Sequence, residues 1–501
     1  MTTTRDEFRA MARRYRAVPV HREVLADLTT PVAAFLRCVG DEPGFLLESV
    51  EHGERWSRFS FVGRRPHAVI TSRNGHITLE GELPGCEPPL DDGILATLSA
   101  VLDYYEAPRL PDLPPLTSGV VGYLGYDVVR EVESLPDVPN DDLGQPDAIL
   151  EVIGEAAVFD HWRQRVTLLA VALLPADADG ATIDAAYDEA VVRLDQLTVD
   201  GSRPVDEPLL PPPDDLPVAE VASSMPHGLY QDAVEAAKEY IRAGDIFQVV
   251  LSQRFDVDLR AEPIDLYRVL RQINPSPYMY FIRRPELTIV GCSPEPLVQV
   301  VDGTVLSRPI AGTRRRGRSD EHDRLMAAEL QEDPKERAEH VMLVDLARND
   351  VGRVAEFGTV AVDELMTLER YSHVMHLTSQ VSGRARPDVS VIDVLRATMP
   401  AGTVSGAPKV RAMEIIDELE PVKRGPYAGV VGYLDFSGNL DTAIAIRTML
   451  CRPDGTASVQ AGAGVVADSV PELEDKECWN KASALLAAVE PARRMTRARS
   501  S

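Results

Sequence analysis

Residues 427–451 read YAGVVGYLDF-SGN-LDTAIAIRTMLC. Two apolar runs, Tyr427 to Phe436 and Thr442 to Cys451, have the length of strands, and the turn-forming triplet Ser437-Gly438-Asn439 separates them. A turn this short joins antiparallel strands, because parallel neighbours need a crossover of a dozen or more residues. The segment therefore predicts an antiparallel sheet and disfavours a doubly wound parallel fold.

The sequence around this hairpin does not alternate strictly between strands and helices. An i, i+3, i+4 pattern predicts a helix from Tyr230 that stops at Gly244. Further helices are predicted at Glu321–Asp350, Ala407–Leu419 and Glu472–Val489, and further strands at Ile246–Phe255, Leu287–Gly291, Leu297–Val301 and Ala457–Ala461. This order predicts an α+β fold with large antiparallel β-sheets flanked by helices.

Composition excludes several classes of protein. The chain has 501 residues, 44% of them hydrophobic, and a net charge of −27, so it can build full cores but lacks the basic surface of a nucleic-acid binder or of a protein held to anionic lipid. Its first residues, Met1 to Arg16, are too charged for a signal peptide, and five scattered cysteines do not form a disulfide framework. We expect a cytoplasmic protein that binds neither membrane nor nucleic acid.

Proline divides the chain. The stretch 201–225 is rich in proline and acidic residues and is predicted to be a linker or loop, since proline fixes φ and has no N–H to donate. It separates an N-terminal region, 1–200, from a second region, 226–492. The last residues, 493–501, form a polar tail that we expect to fray.

Two pairs of glutamates could hold a metal ion. Glu336 and Glu339 share a helix face, and so do Glu474 and Glu477. Two helices that present carboxylates could bind one Mg²⁺, which prefers oxygen ligands and keeps positions open for substrate and water. The alternative is two solvated helix faces with local ion pairs.

Other segments could bind an anion. Ala461-Gly-Ala-Gly-Val465 is interpreted as a Gly-rich turn that offers backbone amides, or simply as a tight turn, and Pro400 to Lys409 leads into a helix N-terminus. Arg447, in an otherwise apolar strand, needs a carboxylate partner if it is buried. These features describe a site for a small polyanion, while a hydrolase with two working carboxylates and a non-catalytic anion sensor remain open alternatives.

Taken together, these segments resemble the chorismate-utilising enzymes. The strings that carry the resemblance occur in the expected order over most of residues 226–501 and are Arg308–Arg314, Glu339–Asp350, His373–Leu377, Pro400–Lys409, Gly425–Tyr433, Asp441–Arg447, Ala461–Val465 and Glu474–Glu477. The resemblance is strongest to the anthranilate-forming branch, whose inhibitor-sensing motif is similar to Leu46-Leu-Glu-Ser49 in the first region. It implies a chorismate-binding catalytic region at 226–492 and a tryptophan-sensing regulatory region at 1–200.

The resemblance also implies roles for individual residues. Glu339 and Glu477 match Mg²⁺ ligands, and Glu295 matches the general acid that protonates the departing C4 hydroxyl. His376, Thr313 and Gln248 stand at the other catalytic positions, with His376 implicated in the loss of pyruvate. Substrate binding is implied for Gly312, Thr313, Tyr427, Arg447, Gly462, Ala463 and Gly464, and tryptophan binding for Ser49, Pro277, Tyr278 and Met279.

Two positions separate the branches of this family. Aminodeoxychorismate synthases usually carry a nucleophilic lysine where this chain has Ala311, and isochorismate and salicylate synthases carry a lysine base where it has Gln248. Alanine cannot act as the amine nucleophile, and glutamine cannot act as the base. The implied reaction is Mg²⁺-dependent conversion of chorismate and ammonia to anthranilate and pyruvate, the first step of tryptophan biosynthesis. The first alternative function is that of component I of an aminodeoxychorismate synthase, and the second is that of a non-catalytic chorismate or tryptophan sensor.

A partner subunit is implied as well. No segment of the chain is recognisable as a Cys/His glutaminase, so ammonia from glutamine is expected to come from a separate glutamine amidotransferase subunit. The family resemblance implies a heterotetramer of two large and two small subunits, inhibited by L-tryptophan.

Overall fold

The computed structural model describes residues 2–25, 27–50, 58–205, 217–226, 228–370 and 374–499, together with residues 207, 210 and 212. The described residues form these α-helices: α1 (Arg5–Ala12), α2 (Pro31–Cys38), α3 (Ile94–Tyr104), α4 (Gly180–Gly201), α5 (Leu229–Ala243), α6 (Pro263–Ile273), α7 (Asp320–Glu332), α8 (Pro334–Gly352), α9 (Val391–Thr398), α10 (Lys409–Leu419), α11 (Pro471–Leu486) and α12 (Val489–Arg499). The strands are β1 (Ala17–Leu25), β2 (Gly44–Glu48), β3 (Phe59–Arg64), β4 (Ala68–Arg73), β5 (His76–Gly81), β6 (Gly119–Leu124), β7 (Ala148–Val152), β8 (Glu155–Asp160), β9 (Arg165–Leu173), β10 (Ala222–Ser223), β11 (Gln248–Asp258), β12 (Tyr278–Arg283), β13 (Thr288–Ser293), β14 (Pro296–Val301), β15 (Thr304–Ser307), β16 (Ile310–Arg315), β17 (Ala361–Arg370), β18 (Val374–Arg384), β19 (Gly406–Ala407), β20 (Val430–Asp435), β21 (Leu440–Ile444), β22 (Thr448–Cys451) and β23 (Thr456–Val465).

The strands form two large antiparallel sheets. The first sheet has the order β1-β9-β8-β3-β2-β12-β13-β22-β23-β11-β10, with β19 beside β11, and the second has the order β16-β18-β15-β14-β21-β20-β6-β7-β4-β5, with β17 beside β18. The predicted α+β class with antiparallel sheets is therefore confirmed. Both sheets combine strands from regions 1–200 and 226–492, and one continuous hydrophobic cluster joins them. The functional division into these regions stays a prediction.

The hairpin that indicated the fold is present, but its second strand was predicted too long. Strands β20 and β21 pair on either side of the turn, where Gly438 has a φ of +89°. The predicted strand Thr442–Cys451 is in fact two strands, because the chain leaves the second sheet after Ile444 and joins the first sheet at Thr448. Arg447 lies in the crossing, with a φ of +52°, and not within a strand.

Helix boundaries follow the proline and glycine signals. Helix α5 ends where Gly244 adopts the left-handed conformation, as predicted. The single helix predicted at Glu321–Asp350 is wrong, because Pro334 lacks the N–H that a helix interior needs and starts α8 instead. The side chain of Asp333 then accepts a hydrogen bond from the backbone N–H of Glu336 (3.2 Å) and caps α8.

Residues 493–499 of the predicted tail are helical, contrary to expectation. Residues 493–499 continue α12, whose Val489, Pro491 and Ala492 are buried. Arg499 pairs with the buried carboxylate of Asp265 (3.2 Å) on α6, and this contact holds the end of α12 against α6. Within the described part of the chain, no helix combines the length and apolarity that crossing a membrane requires.

Candidate active site

A cavity of about 870 Å³ lies between the two sheets and is closed at its sides by α8 and α11. The sequence-predicted residues that line it are Gln248, Glu295, Gly312, Glu339, His376, Tyr427, Arg447, Gly462, Gly464 and Glu477. They come from nine different segments of the chain, so only the tertiary fold brings them together. The backbone of Thr313 lies in β16, but its side chain is outside the described part of the structure, as is all of His373.

Arg447 is held at the cavity wall by its position in the crossing between sheets. Its carbonyl oxygen accepts a hydrogen bond from the backbone N–H of Cys292 (3.1 Å), which fixes the backbone while the side chain lines the cavity. Among the described residues, no carboxylate forms a salt bridge with its guanidinium. Arginine binds carboxylates through two parallel N–H donors, so this cavity offers a binding site for an anionic group.

The glycines of Ala461–Val465 lie inside strand β23, and the interpretation of this segment as a turn is wrong. Beyond Val459, β23 pairs with β11 on one edge only, because β22 has ended. The register places Val250 opposite Gly464 and Ser252 opposite Gly462, and the N–H groups of Val250 and Ser252 bond away from β23. Val250 and Gly464, and likewise Ser252 and Gly462, are therefore non-hydrogen-bonded pairs of the antiparallel ladder. The backbone groups of such a pair point away from each other, so the N–H groups of Gly462 and Gly464 point toward the open edge and the cavity.

Ala463 differs from its neighbouring glycines. Because hydrogen-bonded and non-hydrogen-bonded pairs alternate, Ala463 exchanges backbone hydrogen bonds with Leu251. It is fully buried and does not line the cavity. The structure therefore brings Gly462 and Gly464 to the site but not the backbone donor of Ala463.

Tyr427 explains why position 462 must be glycine. A Cβ at residue 462 would lie 2.6 Å from the carbonyl oxygen of Leu251 and 2.9 Å from the hydroxyl of Tyr427. Behind Tyr427, the Arg424 guanidinium lies 5.6 Å from its ring and bonds to the carbonyl oxygens of Val250 and Val404. This buried arginine positions the cavity wall, and the sequence did not reveal it.

Glu295 is the carboxyl group best suited to carry a proton. It follows the end of β13, and its carbonyl oxygen accepts a hydrogen bond from the N–H of Ile444 (3.0 Å). Burial raises the pKa of Glu295 to about 7, although the neighbouring hydroxyl of Thr403 and the charges of Arg447 and Lys481 act in the opposite direction. A carboxyl with a pKa near 7 can act as a general acid at neutral pH.

His376 faces the same cavity from β18. Its Nδ1 lies 3.2 Å from the carbonyl oxygen of Gly312, which can only accept, so Nδ1 carries the proton and Nε2 has the lone pair. Burial lowers the pKa of His376 and favours the neutral ring. Gly312 has a φ of +63° beside a bulge in β16, a conformation that glycine adopts without strain.

Carboxylates approach the cavity from two helices. Glu339 on α8 and Glu477 on α11 both line it, and Lys481 bridges Glu477 (2.7 Å) and the carbonyl oxygen of Gly462 (2.8 Å). Glu336 is paired with Arg314 (3.0 Å). No cluster of three or more metal-ligating side chains occurs among the described residues. Two carboxylates fit Mg²⁺, which typically takes one or two from protein and fills its other positions with substrate oxygens and water.

Two positions carry information about the reaction. Ala311 lines the cavity beside Gly312, and Gln248 enters it as the first residue of β11. A Cβ at Gly464 would lie 2.6 Å from Nε2 of Gln248, so the amide lies against the glycine strand. Neither position offers an amine nucleophile or a basic group.

A second, smaller cavity of about 120 Å³ holds the four residues assigned to inhibitor binding. Ser49, Pro277, Tyr278 and Met279 line it with Phe59, Phe61, Tyr433 and Asp441. The Ser49 Oγ is buried and has no hydrogen-bond partner among the described residues. Asp441, which the sequence reasoning missed, accepts hydrogen bonds from Tyr278 (2.9 Å) and Gln299 (3.0 Å). A carboxylate in an otherwise apolar strand was the signal that could have identified it.

Comparison with known proteins agrees with this geometry. A family model described as "chorismate binding enzyme" matches residues 45–487. The chain is 47% identical to anthranilate synthase component 1 of Acetivibrio thermocellus, with 98% of each chain covered, and 48% identical to that of Mycolicibacterium smegmatis, with 98% of this chain and 94% of the relative covered. The crystal structure of anthranilate synthase component I from Streptococcus pneumoniae is similar, with a TM-score of 0.74 and 36% identity over 92% of this chain and 99% of that one. A menaquinone-specific isochorismate synthase from Escherichia coli shares the fold, with a TM-score of 0.68 at 19% identity.

Proposed function

The chain belongs to the chorismate-binding enzyme family, within its anthranilate synthase component 1 group of lyases, and from this we propose that it converts chorismate and ammonia to anthranilate and pyruvate with Mg²⁺ as cofactor. The observation that carries the proposal is the single cavity that gathers Glu295, His376, Arg447 and the carboxylates of Glu339 and Glu477. Each has a chemical task in this reaction.

The substrate is a dianion, and the cavity supports a separate site for each negative charge. Arg447, the N–H groups of Gly462 and Gly464 and the hydroxyl of Tyr427 bind the enolpyruvyl carboxylate. Glu339 and Glu477 would hold Mg²⁺, which when bound neutralises the ring carboxylate. With both carboxylates held, the C4 hydroxyl of the ring can face Glu295.

Glu295 and His376 then handle protons at two stages. Glu295 donates its proton to the C4 hydroxyl, which leaves as water while ammonia attacks C2. The lone pair on Nε2 of His376 accepts a proton in the later step that releases pyruvate and makes the ring aromatic. The fixed hydrogen bond from Nδ1 to Gly312 supports this assignment, because it leaves Nε2 as the nitrogen that can take up a proton.

Ala311 and Gln248 support free ammonia as the nucleophile. An alanine cannot form a covalent amine adduct and a glutamine cannot activate water as a base. Purified chain should therefore make fluorescent anthranilate from chorismate and ammonium in the presence of Mg²⁺, and lose this activity after chelation. Formation of aminodeoxychorismate or isochorismate instead would overturn the proposal, and binding of chorismate without turnover would favour a sensor.

We further propose that tryptophan inhibits this reaction from the 120 Å³ cavity. Its aromatic walls, and the hydroxyl of Ser49, which has no hydrogen-bond partner in the part of the chain that the structure describes, suit an amino acid with a large apolar side chain. Two strands connect this cavity with the active site. Asp441 lies on β21, the strand that leads to Arg447, and its partner Gln299 lies on β14, the strand that follows Glu295. Inhibition assays with tryptophan and with other aromatic amino acids test the assignment.

The designation component 1 of the relatives supports a second component in the active complex. We propose a glutamine amidotransferase subunit that supplies ammonia, in a heterotetramer of two large and two small subunits. The isolated chain should then use ammonium but not glutamine, and gain glutamine-dependent activity when the second subunit is added. Sedimentation of the mixture tests the stoichiometry.

A further inference from the structure

A third cavity, called here the rear cavity, shares Glu295 with the active-site cavity. It has a volume of about 50 Å³, room for more than one water molecule. Glu295, Leu343 and Thr403 line both the rear cavity and the active-site cavity. Glu295 therefore lies at the boundary of both cavities.

A second buried carboxyl group, that of Asp350, also lines the rear cavity. Asp350, on α8, is 9% exposed, and burial raises its pKa while the charge of Lys409 acts against this. The ammonium group of Lys409 donates to Asp350 (3.0 Å) and to the carbonyl oxygen of Thr398 (3.3 Å), which also lines the cavity. The Lys409 side chain is 16% exposed and lies between the exposed residues Pro408 and Val410, so it connects Asp350 with solvent.

The proposed reaction creates a need for such a connection. Each turnover breaks the O–H bond of the Glu295 carboxyl as the C4–O bond breaks and water leaves, and it ends with Glu295 as a carboxylate. Glu295 must regain a proton before the next chorismate can react. While the active-site cavity holds substrate or products, the route from solvent through that cavity is obstructed.

We propose that Asp350 reprotonates Glu295 through water in the rear cavity. A water molecule in the rear cavity gives one proton to the Glu295 carboxylate and is restored by a proton that passes from the Lys409 ammonium group through the Asp350 carboxylate. Lys409 then regains its proton from solvent, and the proton that the attacking nitrogen loses leaves to solvent with the products. No electron transfer or co-reactant is involved, because every step breaks one O–H or N–H bond and forms another. This role rests on the proposed function of Glu295 as the general acid.

Two alternatives predict different kinetics. The nitrogen that attacks C2 must lose a proton, and this proton could return to Glu295 directly within the active-site cavity. In that case the ion pair of Asp350 and Lys409 would only tie α8 to α10. The rear-cavity route instead makes the second turnover, but not the first, depend on Asp350.

The test is rapid mixing of an Asp350→Asn variant with chorismate, ammonium and Mg²⁺, followed by anthranilate fluorescence. The enzyme is first equilibrated at about pH 6.5, where Glu295, with a pKa of about 7, is mostly protonated. We expect one equivalent of product per site at the wild-type rate, and then a steady state at least tenfold slower, with the KM for chorismate lowered in proportion so that kcat/KM is unchanged. Small exogenous acids, such as imidazolium, should restore the steady-state rate.

Asp417→Asn is the matched control. Asp417 is also a buried carboxylate in an ion pair between elements, with Arg130 (2.8 Å), and it lines neither cavity. It should lower thermal stability as Asp350→Asn does, but produce no burst. A burst in this control would overturn the proposal, because the effect would then follow from lost ion pairing in general.

A second variant blocks the same path without changing a charge. Ala347 is 7% exposed and lines the rear cavity, so Ala347→Leu should fill it and give the same burst followed by slow turnover. The proposal is wrong if either variant turns over at the wild-type steady rate, or if its first turnover is slowed as much as later ones. Failure of the Glu295 assignment is separately visible, because Glu295→Gln would then remain active in the first turnover.

Discussion

Replacing Ser49 with alanine separates ligand binding from folding at the smaller cavity. The Ser49 hydroxyl is buried without a partner among the described residues, so its removal deletes no hydrogen bond within that part of the protein. An unpartnered buried hydroxyl costs about 1–3 kcal/mol. The melting temperature of the variant should therefore stay level or rise, which is unusual for a substitution at a buried position.

The same hydroxyl should contribute to tryptophan binding. A hydrogen bond to a neutral group of the ligand is worth about 0.5–1.5 kcal/mol, and one to its charged ammonium or carboxylate about 1.5–3 kcal/mol. Since about 1.4 kcal/mol changes an equilibrium constant tenfold, the inhibition constant should rise by about twofold to tenfold in the first case and by more than tenfold in the second. The catalytic rate should hardly change, because Ser49 does not line the active-site cavity.

The assay is anthranilate production from chorismate and ammonium across a range of tryptophan concentrations, with calorimetry of the same samples. Ser60→Ala is the matched control: this serine, on the neighbouring strand, is fully buried and its Oγ lies 2.8 Å from Nε2 of His161. The control should lose stability, by about 1 kcal/mol, and keep its inhibition constant. An unchanged inhibition constant in Ser49→Ala would remove the site assignment, and a large fall in its melting temperature would contradict the view that the hydroxyl is unsatisfied.

Three further predictions concern the active-site cavity. Glu477→Gln should abolish Mg²⁺-dependent turnover, since one of two proposed carboxylate ligands is lost; retained activity at ordinary Mg²⁺ concentrations would count against the metal assignment. Gly462→Ala should raise the KM for chorismate at least tenfold, because the new methyl group would lie 2.6 Å from the carbonyl oxygen of Leu251 and 2.9 Å from the Tyr427 hydroxyl, so that β23 and Tyr427 must both shift. Steady-state kinetics with an unchanged KM would contradict this. At constant free ammonia, kcat/KM for chorismate should fall about tenfold per pH unit above pH 7. The reason is that Glu295, with a pKa of about 7, loses its acid form there. A flat profile up to pH 9 would exclude Glu295 as the titrating acid.

Local signals in the sequence were sufficient for the elements that depend on local physics. The helix that ends at Gly244 and the turn at Ser437–Asn439 were predicted correctly, since glycine φ and side-chain periodicity decide them. The strand Thr442–Cys451 was wrong because its central Ile444-Ala445-Ile446 is apolar in either arrangement. Whether such a run continues in one sheet or crosses to another depends on partners that are distant in sequence.

The site shows the same division. Most of the side chains that residue types and motif order suggested line one cavity, and their roles stay predictions, but the sequence did not indicate which backbone groups are available there. Gly462 and Gly464 present their N–H groups because Val250 and Ser252, on the opposite strand, bond to Ser405 and Glu420 instead. No pattern within residues 461–465 contains that information, which is why the segment was taken for a turn.

Because the chain carries a large negative net charge, the active-site cavity must itself supply the groups that bind an anionic substrate. A protein of net charge −27 repels a dianionic substrate at long range, although salt limits this repulsion to about 8 Å at physiological ionic strength. Binding therefore depends on local groups: Arg447, Lys481 and the two glycine N–H groups are positive or act as donors, whereas Glu339 and Glu477 add negative charge to the same cavity. Without a bound cation these two glutamates would oppose the substrate, so the proposed function requires Mg²⁺ for recognition of chorismate as well as for its turnover.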